Sequence, residues 1–202
     1  DYTGATNITA GSLVAGAENA LSPTSRVVIT GDTVSGTLDL NGFNQTIGSL
    51  ASTGATQANA SVILGASTLT VGGDDTSGAV YAGGITGSGV FRVNTHGTQT
   101  LSSVDHSAQT WSTEIANGTL SVSNDGKLGS GDVTLGVAPV TGADDMTVLD
   151  LQGVTLANNV IVNNTNSAGV SVIQSTGADS AITGSVTLNR DTFVGVQALT
   201  GL

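Results

Sequence analysis

Ile8-Thr9-Ala10-Gly11-Ser12-Leu13 returns as Ile115-Ala116-Asn117-Gly118-Thr119-Leu120, with the shared Ile, Gly and Leu each shifted by 107. Leu21 returns as Leu128 with the same shift. Further along, Leu38-Asp39-Leu40 returns as Leu149-Asp150-Leu151, shifted by 111, and Ile85-Thr86-Gly87-Ser88 as Ile182-Thr183-Gly184-Ser185, shifted by 97. Unequal shifts place short insertions and deletions between the matched pieces, which loops on a repeating framework tolerate. Repeat architectures are stacks rather than globules, and their functions are mostly those of long surfaces. The chain therefore reads as one segment, 1–202, with related units at about 1–100 and 108–202.

Between the repeated blocks, apolar residues stand two apart in short runs, and helical periodicity is almost absent. Val27/Ile29, Leu38/Leu40, Val62/Leu64, Leu69/Val71, Leu120/Val122, Val133/Leu135, Val160/Val162, Val170/Val172 and Val186/Leu188 read as the buried faces of strands. Turn residues that accept positive φ cheaply punctuate them: Gly31-Asp32, Asn41-Gly42, Gly72-Gly73-Asp74-Asp75, Gly83-Gly84, Asn117-Gly118, Asp125-Gly126 and Gly129-Ser130-Gly131. Sandwiches and barrels share short strands and frequent turns. The repeat favours a parallel β-solenoid instead, in which equivalent residues stack rung over rung at ~4.8 Å. Rungs of ~20–25 residues predict about nine of them and a rod of order 40 Å. Asn158-Asn159, Asn163-Asn164 and Asn166 fit either a stacked amide ladder at a corner or a polar loop.

Composition supports this reading. The chain has 202 residues, 29 Gly, 2 Pro, no Cys and only 9% charged residues, while 38% are apolar. A disordered chain of low hydrophobicity carries more charge or proline. Net charge is −11, with four basic residues, Arg26, Arg92, Lys127 and Arg190. Nucleic-acid binding needs several cations on one face, so it is not expected, and docking on an anionic membrane is disfavoured for the same reason. No stretch approaches the ~20 apolar residues of a membrane span. No signal-peptide pattern opens the sequence, so for an exported protein the signal is expected to be removed or to lie outside this segment.

Several stretches resemble one family. Tyr2-Thr3-Gly4-Ala5-Thr6-Asn7-Ile8-Thr9-Ala10-Gly11-Ser12-Leu13 and Leu38-Asp39-Leu40-Asn41-Gly42-Phe43-Asn44-Gln45-Thr46-Ile47-Gly48-Ser49-Leu50 are similar to the passenger-associated transport repeat of bacterial autotransporters. Leu69-Thr70-Val71-Gly72-Gly73-Asp74-Asp75 and Ile85-Thr86-Gly87-Ser88-Gly89 match its usual continuation, and Ile115–Val122 through Leu128–Gly131 resembles a second copy. The likeness covers residues 1–151; the last fifty follow its style but not its motif. It implies a right-handed, single-stranded parallel β-helix exported through an outer-membrane barrel and displayed on a Gram-negative cell. Lack of Cys fits such passage. Nothing resembles the C-terminal barrel with its aromatic girdles, and Asp105-His106-Ser107-Ala108-Gln109-Thr110-Trp111 replaces the expected Tyr-Thr-Gly opening of the second copy. An internal slice of a long passenger and a small relative that reuses the repeat both remain open.

No residue is assigned a catalytic, cofactor-binding or metal-binding role. Asp39 and Asp150 lie between inward leucines and are expected on the solvated surface. Asp74-Asp75 and Asp144-Asp145 are paired carboxylates in Gly-rich turns, where weak calcium binding competes with simple solvation. The nine-residue calcium roll repeat is absent. A catalytic or metal role for His96 or His106, ten residues apart, would need a partner such as another His, a Cys or an oriented carboxylate, and Asp105 beside His106 should face the opposite way. No nucleophile elbow stands between a strand and a helix. Trp111, Tyr81 and Phe43 are expected to pack rather than stack on sugars. Thr68-x-Thr70 and Thr98-x-Thr100 look isolated, unlike an ice-binding array.

The expected function is therefore non-enzymatic: a surface-exposed or secreted structural and adhesive segment, without cofactors, whose polar faces contact host matrix, glycans or identical chains through avidity. One alternative is a filament subunit stacking head to tail through open solenoid ends. A lesser one, a carbohydrate-active β-helix enzyme, requires three or more carboxylates converging on one face.

Overall fold

A computed structural model describes residues 2–102, 104–123, 128–137, 146–163, 169–177 and 179–197. Every registered strand pair is parallel, and the strands wind into a β-solenoid of about seven stacked turns. The count falls short of nine because some coils are longer than an even rung allows. Leu120 does not meet its partner in the next coil until Leu149, nor Val133 until Val160. The only helical element among the described residues is the single 3-10 turn Gln57–Asn59, so no helix there is long and apolar enough to cross a membrane.

The coil has three faces. The first begins with Thr6–Ile8, Val27–Thr30 and Leu50–Thr53. It resumes with Ala79–Tyr81 and the second half of Val90–Ser102, then the second half of Ser112–Ser123, and ends with Met146–Gln152, Val170–Thr176 and Thr192–Gln197. The second face stacks Gly11–Val14, Gly36–Asp39, Ser61–Gly65 and Gly84–Gly87, breaks off, and resumes with Thr155–Leu156 and Ala181–Ile182. The third face is unbroken over seven strands: Gln45–Ile47, Thr68–Val71, the first halves of Val90–Ser102 and Ser112–Ser123, Val133–Leu135, Val160–Val162 and Val186–Leu188.

Alternation produces this shape directly. Val27, Ile29, Leu38, Val62, Leu64, Leu69, Val71, Val133, Leu135, Val160 and Val162 are all fully buried in one continuous column. Each such side chain contributes about 1.5–3 kcal/mol by leaving water. The strands are short because a chain closing a three-sided coil must turn every few residues. At one such corner Gly118 adopts φ +78°, and a Cβ there would run into the Thr95 carbonyl oxygen. Successive coils approach so closely that only hydrogen fits.

The same corner explains the repeated block. Gly11 adopts φ +72°, close to Gly118. Yet Ile8 and Leu13 flank a corner between the first and second faces, whereas Ile115 and Leu120 flank one between the third and first. The matched residues share a strand–corner–strand unit used at different corners. Ile85 and Ile182, by contrast, both lie on the second face.

Further expectations change. Val186 and Leu188, read as a buried strand face, are exposed. In Val170–Thr176 it is Ser171 and Ile173 that continue the inward rows of Thr147 and Leu149, so Val170 and Val172 point outward, and Val170 is exposed. Asp150 is not a solvated surface residue: it is only 5% exposed and accepts hydrogen bonds from Thr176 Oγ1 at 2.7 Å, Gln152 Nε2 at 3.0 Å and Ser121 Oγ at 3.3 Å. Neighbouring Val148 and Val172 are buried on the same outward side, so the carboxylate sits beneath cover and needs those donors. The asparagines form no amide-on-amide ladder among the described residues. Asn158 Nδ2 donates to the Gly129 and Gly131 carbonyls, and Asn159 bridges Asp132 Oδ1 and the Ser185 hydroxyl. Asn164, Asn166, Lys127, Asp125-Gly126 and Asp144-Asp145 lie outside the described residues.

Candidate functional site

The third face offers the longest regular surface. Its inward rows fill the column, so its outward rows are set by register. One outward row runs from Thr46 through Thr70, Arg92, Glu114, Thr134 and Ile161 to Thr187, each pair in direct register. Six steps at ~4.8 Å give a flat strip roughly 30 Å long. All its residues are half-buried by their neighbours except Thr187, which is exposed.

At the centre, Arg92 Nε donates to Glu114 Oε2 at 2.7 Å, and its terminal nitrogen reaches the same oxygen at 2.5 Å. A half-exposed pair like this is worth about 0–1 kcal/mol. Its larger effect is on charge: it cancels the strip's only cation against its only anion. The strip is therefore neutral on a chain of net charge −11.

Hydroxyls separate this face from the corners. The side-chain oxygens of Thr46, Thr70, Thr134 and Thr187 have no hydrogen-bond partner in the protein among the described residues. Corner polar groups are instead consumed internally. Asn41 Nδ2 donates to the Ala15 carbonyl, Asn44 Oδ1 accepts from the Thr68 amide, and Asn59 Nδ2 donates to the Asp32 carbonyl. Corner side chains stitch coil to coil, whereas the face keeps its donors and acceptors for a partner.

The described carboxylates noted in the sequence are engaged within turns or between coils. Asp39 accepts from the Asn41 amide. Asp74 accepts from the Ser49 hydroxyl at 2.7 Å and from Thr76. Asp75 accepts from the His96 amide at 2.9 Å and meets the His96 ring at 3.0 Å. The amide bond holds the Asp75 carboxyl below its ordinary range; partial desolvation opposes this and the His96 ring adds to it. No group of three or more His, Asp or Glu side chains that could hold a metal ion gathers among the described residues.

The histidines separate. His96 is on the surface with Asp75, while His106 is buried, its Nε2 3.3 Å from the Gly83 carbonyl and its ring edge-on to Trp111 at 5.5 Å. Asp105 faces outward as expected and accepts from the Ser107 amide. Trp111 and Tyr81 are fully buried and Phe43 half-buried, so these aromatics pack. Burial pushes the Tyr81 phenol well above its ordinary range, and it donates to the Gly84 carbonyl.

Sequence reasoning missed the outward threonine row. Its members follow one another at uneven intervals along the chain, so no fixed period reveals them. Thr70, isolated in sequence, stacks on Thr46 in space.

No protein-family model and no solved structure matches the chain. Over 119 residues, 59% of the chain, the sequence is 38% identical to the adhesin BmaC autotransporter of Brucella suis biovar 1 (strain 1330). The chain spans about 3% of that protein's length. Sequence likeness to an autotransporter adhesin and a parallel β-solenoid together bear out the resemblance to an autotransporter passenger.

Proposed function

We propose that this chain is an adhesive segment of an autotransporter-like passenger, displayed at the surface of a Gram-negative cell, and that its third face is the contact surface. The observation that carries this reading is the in-register row of threonine hydroxyls left without protein partners among the described residues on a neutral strip. Hydroxyls that both donate and accept suit glycans and extended matrix chains, and many weak contacts along a rod sum by avidity. Likeness to a named adhesin supports the role. Four basic residues in the chain and one paired cation on this face argue against nucleic acid as the partner.

Purified chain, immobilised at high density, should retain matrix proteins or glycan-coated beads. Thr70→Glu with Thr134→Glu should weaken retention by about tenfold or more through charge repulsion and lost hydroxyl contacts, with circular dichroism unchanged because neither side chain enters the column. Retention untouched by the double substitution would overturn the choice of face.

A further inference from the structure

The break in the second face holds a cavity of about 130 Å³, lined by Ser107, Leu128, Ser130, Leu156, Ala157 and Asn158 among others. It lies where, among the described residues, no strand follows Gly84–Gly87 on this face until Thr155–Leu156. Trp111 fills the interior side of the break, its Nε1 donating to the Ile85 carbonyl at 3.1 Å. Gly129 lies directly against the indole: a Cβ there would be 2.6 Å from Trp111 Cδ2. The floor of the cavity is apolar, since Leu128 and Leu156 are buried.

Asn158 supplies the polar point. It is only 8% exposed, and its Nδ2 donates to the Gly129 carbonyl at 2.5 Å and the Gly131 carbonyl at 2.6 Å. Both amide hydrogens are thus committed, which fixes the orientation of the group. Oδ1 accepts no hydrogen bond from the protein among the described residues. Among those residues the only sealed side-chain atom without a partner is Thr113 Oγ1, so Asn158 Oδ1 is not sealed, and its residue lines the cavity. At the rim, the hydroxyls of Ser107 and Ser130 are exposed and make no hydrogen bond to the described protein.

We propose that this cavity binds the acetamido group of an N-acetylhexosamine. A ligand here must bring one N–H to a fixed acceptor and one small apolar group to a leucine-lined floor, and an acetamido group carries both, its N–H and methyl attached to the same carbonyl carbon. The volume equals that of about four waters at ~30 Å³ each, enough for the acetamido group with the pyranose ring resting on the rim among the serine hydroxyls. An anionic ligand is disfavoured by the bare acceptor and by the chain's net charge of −11. Among the described residues no aromatic side chain lines the cavity, so recognition rests on the substituent rather than on ring stacking. The choice of a glycan ligand rests on the adhesive reading; the cavity's chemistry does not.

Trp111 is the only tryptophan, so its emission reports on the site through Gly129. N-acetylglucosamine titrated into the purified chain should change that emission saturably in the millimolar range (~1 mM corresponds to about −4 kcal/mol), and its methyl signal should show saturation transfer, while glucose gives neither. Ala157→Leu, which fills the cavity from an exposed rim position without touching the capped carbonyls, should weaken binding at least about tenfold. The proposal is overturned by an unchanged emission up to about 100 mM sugar, by equal response to glucose, or by full binding in Ala157→Leu. Loss of adhesion in the Thr70/Thr134 variant with no sugar response in wild type would sink this site and leave the adhesive reading standing; sugar binding by a chain that adheres to nothing would do the reverse.

Discussion

Gly118 shows how far single residues set this fold. A side chain there is strained by φ +78° and blocked by the Thr95 carbonyl oxygen. Gly118→Ala should therefore destabilise the chain by roughly 1–3 kcal/mol, whereas Gly16→Ala, in open space without positive φ, should be neutral or slightly stabilising; urea unfolding of both variants checks this. Asp75 makes a pH-dependent contribution. Its folded carboxyl binds a proton less readily than the unfolded one, whose ordinary value is 3.8. Its contribution is thus full well above 3.8 and lost as pH falls through the lower folded value. The stability gap between wild type and Asp75→Asn should be small, because the pair is exposed, and should close on acidification below that window; urea midpoints measured across pH 6 to 2 report it. At this scale the sequence was informative where side chains alternate and misleading where they bury polarity. Asp39 and Asp150 look equivalent between their leucines, yet one is half-buried and the other sealed, because what lies over a strand comes from other coils.

Strands were legible as elements; the way they join was not. Leu69/Val71 and Val133/Leu135 announce their strands because aliphatics alternate with threonine, and Val62/Leu64 does so as an aliphatic run in which Ile63 faces outward. Val170/Val172 misled by the same rule, since Ser171 and Ile173 point inward there. The break in the second face was invisible, because Trp111 and His106 replace a strand with rings that carry no period. Gln99 is another such device. Its Oε1 accepts from the Leu50 amide at 3.1 Å and its Nε2 donates to the Leu50 and Ala79 carbonyls. It stands in for backbone pairing between Leu50–Thr53 and Ala79–Tyr81, which share no registered ladder. Gln99→Leu keeps the bulk but orphans buried backbone groups, and should cost roughly 1–3 kcal/mol for each one left unpaired; a loss under about 0.5 kcal/mol in urea unfolding would contradict this role for Gln99.

On the scale of the whole rod, stability is a sum over neighbouring coils rather than one cooperative core. Amide exchange should follow that gradient. Thr68–Val71 and the adjoining half of Val90–Ser102, paired on both edges and buried inward, should be among the slowest. Val186–Leu188, whose three residues are all exposed, should exchange far sooner. Uniform protection along the rod would show a single cooperative unit instead. The candidate face belongs to this scale too, which is why it was hidden in the sequence: its threonines become neighbours only once coils of unequal length are stacked.

Parallel stacking also decides how such a rod behaves under load. With each coil hydrogen-bonded chiefly to the one before and the one after, tension drawn along the chain meets them in series. Peeling one coil, at roughly 3.3–3.6 Å for every residue drawn straight, pays out on the order of 70–100 Å of thread and leaves the remainder wound. A tether of this construction yields in steps, and the pull it withstands is set by its weakest winding rather than by its length.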